Sequence, residues 1–195
     1  MFVPILSNDD LRNLPLIQFE GPVRILNTPE QTDKAVEVLR QHKILGFDTE
    51  TRPAFVKRQT HKVALLQLAT PSEAFLFRMP HTGIPDSLAG LLSDPNILKI
   101  GVAIGQDIEI LKRRKPFVPA GFLDLQHFVK PFGIESQALT KLSGIILGCR
   151  ISKAQRLSNW ESEELSEGQV RYAATDAWIC LKIYERLIQK TVAAS

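Results

Sequence analysis

Ile44-Leu45-Gly46-Phe47-Asp48-Thr49-Glu50-Thr51 is an apolar run that drives directly into two carboxylates. Alternation along a β-strand puts positions two apart on the same face, so Asp48 and Glu50 would stand side by side, about 7 Å apart along the strand. In a low-dielectric setting two ionised carboxylates repel, and one takes up a proton unless a cation lies between them. All-oxygen ligands suit hard ions such as Mg²⁺ or Mn²⁺. The stretch therefore predicts a strand carrying half of a divalent-metal site, to which later carboxylates return. A phosphatase with an aspartyl nucleophile would read Asp-x-Asp-x-Thr here. The second acid is Glu50, and no later segment supplies the Lys and acidic pair which that chemistry needs.

The bulk numbers narrow the class. The chain has 195 residues, 44% apolar and 23% charged, with a net charge of +3. Such a composition is that of a soluble globular protein with a sizeable core, arranged as one domain with residues 1–21 as an extension packed on it. Mild basicity is compatible with nucleic acid. Cys149 and Cys180 lie in apolar stretches without metal-ligand spacing, which predicts buried free thiols in a reducing compartment. Met1 to Leu6 is apolar but stops at Ser7-Asn8-Asp9-Asp10, too short for a signal peptide or a membrane span, so a cytoplasmic location is expected.

Outward from the deciding strand, local signals place the other elements. Ser7 caps a short helix that Pro15 stops, and Val23 to Leu26 reads as a strand after Gly21-Pro22. Thr28-Pro29-Glu30-Gln31 is a helix start with a cap, a Pro at the first helical position and a capping-box Gln. A basic connector, Arg52 to Lys62, follows the acidic strand. Two strands, Val63 to Ala69 and Ala74 to Phe77, flank the turn Thr70-Pro71-Ser72-Glu73, and the 44–51 strand joins them in an antiparallel meander. From Pro85 the pattern becomes helix (Asp86 to Leu92), strand (Ile97 to Val102), helix (Gln106 to Arg114) and strand (Phe122 to Leu125). Helices follow over Gln126 to Pro131 and Ala138 to Leu147. Ser166-Glu167-Gly168-Gln169 is a capping box, with Leu165 and Val170 at staple positions, opening a long final helix. The expected fold class is α/β, a mixed β-sheet with antiparallel first strands and helices on both faces.

Two later acids fall where they could return to the strand. Asp107 follows two glycines at a strand-to-helix junction, where the helix dipole favours a carboxylate. Tyr172 and Asp176 are four apart on the final helix, on one face, with small residues between them.

In order, Asp48-Thr49-Glu50, Gly105-Gln106-Asp107 and Tyr172-Ala173-Ala174-Thr175-Asp176 resemble the three motifs of the DEDD superfamily of 3′–5′ exonucleases. The tyrosine branch is the one resembled, because the histidine branch would need His at position 171, where this chain has Arg171. Lys62-Val63-Ala64-Leu65-Leu66-Gln67-Leu68-Ala69 and Leu157-Ser158-Asn159-Trp160 are similar to segments of ribonuclease D and of the Werner-syndrome exonuclease domain. The likeness spans roughly residues 22–190 and implies a ribonuclease-H-like sheet. It further implies hydrolysis of terminal phosphodiesters of DNA or RNA, with release of nucleoside monophosphates, by two divalent cations about 3.5–4 Å apart. Asp48 would bridge the ions, Glu50 and Asp176 would complete the first, and Asp107 would reach the second. Tyr172 would orient the attacking water. The implied partner is a nucleic-acid 3′ end, single-stranded DNA or RNA; a catalytically idle binding module on the same fold is the alternative.

Substrate contacts are expected from Thr49 and Thr51 beside the acids, and from Arg52, Lys57 and Arg58 in the connector. The run Lys112-Arg113-Arg114-Lys115 reads as a helix end facing water and Trp160 as a core or loop anchor; Asp124, which ends an apolar run, reads as a helix cap ahead of the alternative, a support behind the site's acids.

Overall fold

A computed structural model describes residues 2–52 and 62–192. Six strands form one mixed sheet: β1 (Val23–Leu26), β2 (Ile44–Thr51), β3 (Val63–Ala69), β4 (Ala74–Arg78), β5 (Leu98–Gly101) and β6 (Phe122–Asp124), in the spatial order β1-β4-β3-β2-β5-β6. The antiparallel meander is β2-β3-β4, as the tight turn requires; Thr70 closes it through Glu73 N–H donating to Thr70 Oγ1 at 2.9 Å. β5 and β6 extend the sheet in parallel, each reached through a helix. β1 also pairs in parallel, against β4, so the antiparallel character belongs to the second, third and fourth strands.

Alternation along the strands sorts the core into two layers. On one face Phe47, Leu66, Leu68, Phe75 and Phe77 pack beneath α2 (Pro29–Leu39), α4 (Asp86–Leu92) and α5 (Gly105–Arg114), which follow the short α1 (Asn8–Asn13) and α3 (Met79–Thr82) in chain order. On the other face α6 (Leu125–Phe128), α7 (Leu139–Leu147) and α8 (Glu167–Val192) cover Ile100, Leu76, Leu65 and Ala69. A 3₁₀ turn, Lys130–Phe132, takes the end of the helix expected over 126–131, because Pro131 cannot donate to the helical ladder.

The caps form as their spacing predicts. Gln31 N–H donates to Thr28 Oγ1, while the Gln31 carboxamide oxygen accepts from Asn27 N–H. Ser166 and Gln169 exchange both bonds of the capping box, at 3.0 and 3.2 Å. Within α8, Ala173, Ala174 and Ala177 are fully buried, and their small side chains let this helix lie close on the sheet. Gly46 of β2 completes the approach, since a Cβ there would stand 1.9 Å from the Ala177 carbonyl oxygen.

The N-terminal segment is tied to α8. Phe19 N–H donates to Thr175 Oγ1 at 3.0 Å, and Arg171 donates to the carbonyls of Phe19 and Gly21. Leu16 bridges Arg150. Arg171, where the other branch of the resembled superfamily would have His, is thus a structural clamp. Among the described residues no helix is long and apolar enough to cross a membrane.

Candidate active site

β2 delivers Asp48 and Glu50 to the α8 face, the face that Gly46 also presents. Because the helix lies so close, Asp176 comes down beside them. Ligand oxygens of Asp48, Glu50 and Asp176 all fall within 4.8 Å of one another. A register irregularity between Glu50 and Thr51 ends the regular ladder just past the acids, where such bulges re-aim side chains.

Asp107 stands beside this trio rather than within it. It lies in the first turn of α5, where Thr49 Oγ1 donates to Asp107 Oδ1 at 2.7 Å. Thr49 therefore donates its hydroxyl proton to orient an acid. Asp124 caps α6 as expected, accepting from Gln126 N–H at 2.9 Å. It also accepts from Ala103 N–H at 3.1 Å and Ile104 N–H at 3.2 Å, across the turn that opens α5.

Tyr172 shares the Asp176 face of α8, one helical turn before it, with its hydroxyl near enough to that carboxylate to lower its affinity for a proton. Its ring lies 5.9 Å from that of Trp160, tilted by 39°. Trp160 is fully buried, which makes it the expected anchor and a support for Tyr172. The loop that carries Trp160 is held by Arg78, whose guanidinium donates to the carbonyls of Ser162 and Glu163. Gln169 adds a bond to the Asn159 carbonyl.

Crowded acids shift one another. Burial, then Asp176, Glu50 and Asp107 in that order, raise the Asp48 carboxyl well above its ordinary range. Glu50 is pushed to about 8 by burial, Asp176 and Asp107. Asp176 rises to about 7 through burial, against the lowering effect of Tyr172. Asp107 rises to about 6, mainly by burial. Burial and the neighbouring carboxylates hold the Tyr172 phenol far above its ordinary value, so it is neutral throughout the working range. Without a cation the cluster has to carry protons. An all-carboxylate donor set at this spacing fits Mg²⁺ or Mn²⁺, which replace those protons with fixed positive charge.

The sign of the pH effect follows. Folded carboxyls with raised pKa bind protons that the unfolded chain has already released near pH 4, so their contribution is present below pH 4 and lost as pH rises through 6 to 8. The Tm of the chelator-treated protein is expected to fall between pH 5 and 8, and Mn²⁺ to raise it most at the alkaline end. A Tm that is flat or rising in EDTA over that window would contradict the crowding. Lys99, lowered to about 8 by burial, acts in the opposite direction only above that window.

The basic residues divide. Arg52, just past β2, pairs at 3.7 Å with Glu161, the residue after Trp160, while Lys57 and Arg58 lie outside the described residues. Thr51 is partly exposed at the end of β2. In the 112–115 run, Lys112 pairs with Glu109, Arg114 bonds the Met79 carbonyl and Lys115 pairs with Asp86, so three of the four are engaged structurally.

Sequence reasoning gave no role to two residues near the acids. Gln67 sits directly across from Asp48 in the β2–β3 ladder, fully buried, and both its amide atoms lack a partner among the described residues. A lone Gln amid Val63–Ala69 was the signal. Cys180, one turn beyond Asp176, is a buried free thiol pushed up by burial, Asp48 and Asp176.

A family model described as 3′–5′ exonuclease matches residues 23–191, and so takes in every one of these acids. The chain belongs to the 3′–5′ exonuclease family. Within this family it is 33% identical over 176 residues to a ribonuclease D of Gluconacetobacter diazotrophicus, covering 88% of this chain and 44% of that protein. It is 30% identical over 198 residues to a 3′–5′ exonuclease of Arabidopsis thaliana, covering 93% and 69%. The exonuclease fold is shared with Trypanosoma brucei RNase D solved in complex with RNA U12, at a TM-score of 0.76 and 23% identity, over 87% of this chain and 63% of that one. The chain thus spans less than half the length of the bacterial ribonuclease D that it matches.

Proposed function

We propose that this chain is an active exonuclease of the tyrosine branch, removing nucleoside 5′-monophosphates from the 3′ end of single-stranded nucleic acid with two divalent cations. The observation that carries this reading is the convergence of Asp48, Glu50 and Asp176 oxygens within 4.8 Å, with Asp107 and Tyr172 alongside. Residues 1–195 would act as one exonuclease domain, residues 1–21 being an extension of it. Two buried free thiols fit a reducing compartment such as the cytoplasm.

Asp48, Glu50 and Asp176 would hold one ion, and Asp48 with Asp107 a second. Bound there, the ions supply an acidified water and charge neutralisation at the phosphoryl oxygens. The protein's own groups do the positioning. Thr49 keeps Asp107 in one rotamer, and Trp160 keeps the Tyr172 ring in place. The Tyr172 hydroxyl, neutral by burial, holds the attacking water by hydrogen bond and does not take its proton.

RNA is the first candidate substrate, because a relative at 33% identity bears the name ribonuclease D. The fold and the donor set would serve DNA equally, so the choice is experimental. A time course on matched 5′-labelled RNA and DNA oligonucleotides, single- and double-stranded, with Mg²⁺, Mn²⁺ or EDTA, tests the proposal. A metal-dependent ladder shortening from the 3′ end supports it. Binding without cleavage of any substrate would favour the idle module. Tyr172→Phe is expected to lower turnover by about 100-fold, the lower end for losing one positioned hydrogen-bonding group, while Mn²⁺ affinity is retained. Unchanged turnover would remove Tyr172 from the mechanism.

A further inference from the structure

The entry to α5 has no cap of its own. Its N-cap residue, Ile104, has no side-chain hydrogen bond to the helix, and Gly105 and Gln106 follow without a Ser, Thr, Asp or Asn at the start. The turn before it is costly. Ala103 has φ +58°, a left-handed conformation that disfavours a residue with a Cβ. Something must hold this backbone, and the local sequence does not.

The holder comes from the next strand. Asp124, paired with Gly101 at the end of β6, accepts Ala103 N–H on Oδ1 and Ile104 N–H on Oδ2. Its Oδ1 also accepts Gln126 N–H, so one carboxylate ties together β6, α6 and the α5 turn. Three residues past Ile104, the same helix presents Asp107, which Thr49 fixes from the opposite side. Asp107 therefore sits between two constraints: the hydroxyl of β2 on its side chain and the carboxylate of Asp124 on its backbone. Gly101 leaves no slack in this corner, since a Cβ there would stand 2.8 Å from the Phe47 carbonyl oxygen and 2.4 Å from Ile104 Cγ2.

We infer that Asp124 is a positioning residue for Asp107: by clamping the left-handed turn at Ala103 it sets the height and rotation of α5, and so the affinity of the site for its Asp107-held cation. The inference rests on the proposed metal-dependent function. Groups that orient metal ligands typically change affinity by about 10- to 100-fold when lost. The wild type and the variants Asp124→Asn, Asp124→Ala and Thr49→Val would be stripped of metal and titrated with Mn²⁺ by calorimetry, and each would be assayed for single-nucleotide release over a range of Mn²⁺ concentrations.

Asp124→Asn keeps the shape but turns one acceptor into an amide donor facing a backbone N–H. Its weaker Mn²⁺-binding step is expected to loosen about 10-fold or more while the tighter step is unchanged. Turnover should fall at low Mn²⁺ and recover at high Mn²⁺, with KM for the oligonucleotide unchanged. Adding Ala103→Gly, which removes the cost of the left-handed turn, is expected to restore part of the lost affinity. A cooperatively folded Asp124→Asn with the wild-type isotherm would overturn the inference, as would equal loosening of both steps. Should Asp124→Ala not fold, Asp124→Asn and the Ala103→Gly rescue decide. A wild type that binds Mn²⁺ but releases no nucleotide would overturn the nuclease reading alone, and the isotherms would still decide the role of Asp124.

Discussion

Asp176→Asn is expected to lower nuclease turnover by about a thousandfold, the upper end of what losing one group that stabilises transition-state charge costs. Asp176 is 7% exposed and shares a 4.8 Å cluster with Asp48 and Glu50. The amide keeps the size, so packing under α8 is preserved. It removes the negative charge, and with it most of the attraction for a cation. Loss of that charge also relieves the repulsion that raises Asp48 and Glu50. The variant should therefore be inactive and, in EDTA near pH 8, more stable than the wild type. Activity assays and thermal melts on one preparation check both halves. Inactivity with a lowered Tm would point to a folding defect instead, and near-normal turnover would end the carboxylate-site reading.

Gly46→Ala is the second large effect, and it acts at a distance from the chemistry. The added methyl would stand 1.9 Å from the Ala177 carbonyl oxygen and 2.7 Å from its carbon, both main-chain atoms of a long helix. No rotamer change can relieve that contact, so α8 must lift or slide. Overpacking of this kind costs typically 1–3 kcal/mol. At the upper end of that range, Tm should fall by about 10 °C in a chain of this size. Ala177 adjoins Asp176, so the same movement carries the acid away from Asp48. A misplacement near 1 Å is worth about a hundredfold in rate. Thermal melting and turnover measured well below the lowered Tm separate the two consequences. A variant with wild-type Tm would show that α8 rests less tightly on β2 than the contact requires.

How far the sequence was legible follows the range of each signal. The acids of β2, the caps at Thr28 and Ser166, and the pairing of Tyr172 with Asp176 are written in spacings of two to four residues, which alternation and helical pitch translate directly. The meander was legible because a four-residue turn leaves few alternatives. The parallel pairing of β1 with β4 was not, since Val23 and Ala74 are far apart in the chain and no local pattern reports which edge a short strand joins. A supporting role for Asp124 was an alternative to its cap, but its partners were hidden for the same reason: a cap at Gln126 is a neighbour effect, whereas the bonds to Ala103 and Ile104 cross 21 and 20 residues. The bond from the Thr49 hydroxyl to Asp107 was hidden likewise, because it joins β2 to α5 across 58 positions. Arg78, one residue past the strand expected over 74–77, carried no signal of its part as the buried peg of the Trp160 loop.

The docking of α8 across β2 has a consequence in time. Asp176 is made 126 positions after Glu50, which at about 5–20 residues per second is a delay of roughly 6–25 s during translation. Throughout that interval the nascent chain holds Asp48 and Glu50 without the helix that completes their cluster. A ribosome carrying the unfinished protein would thus carry no working nuclease beside its own message. On the proposed reading, the chain would become competent only when α8 emerges and closes over the sheet.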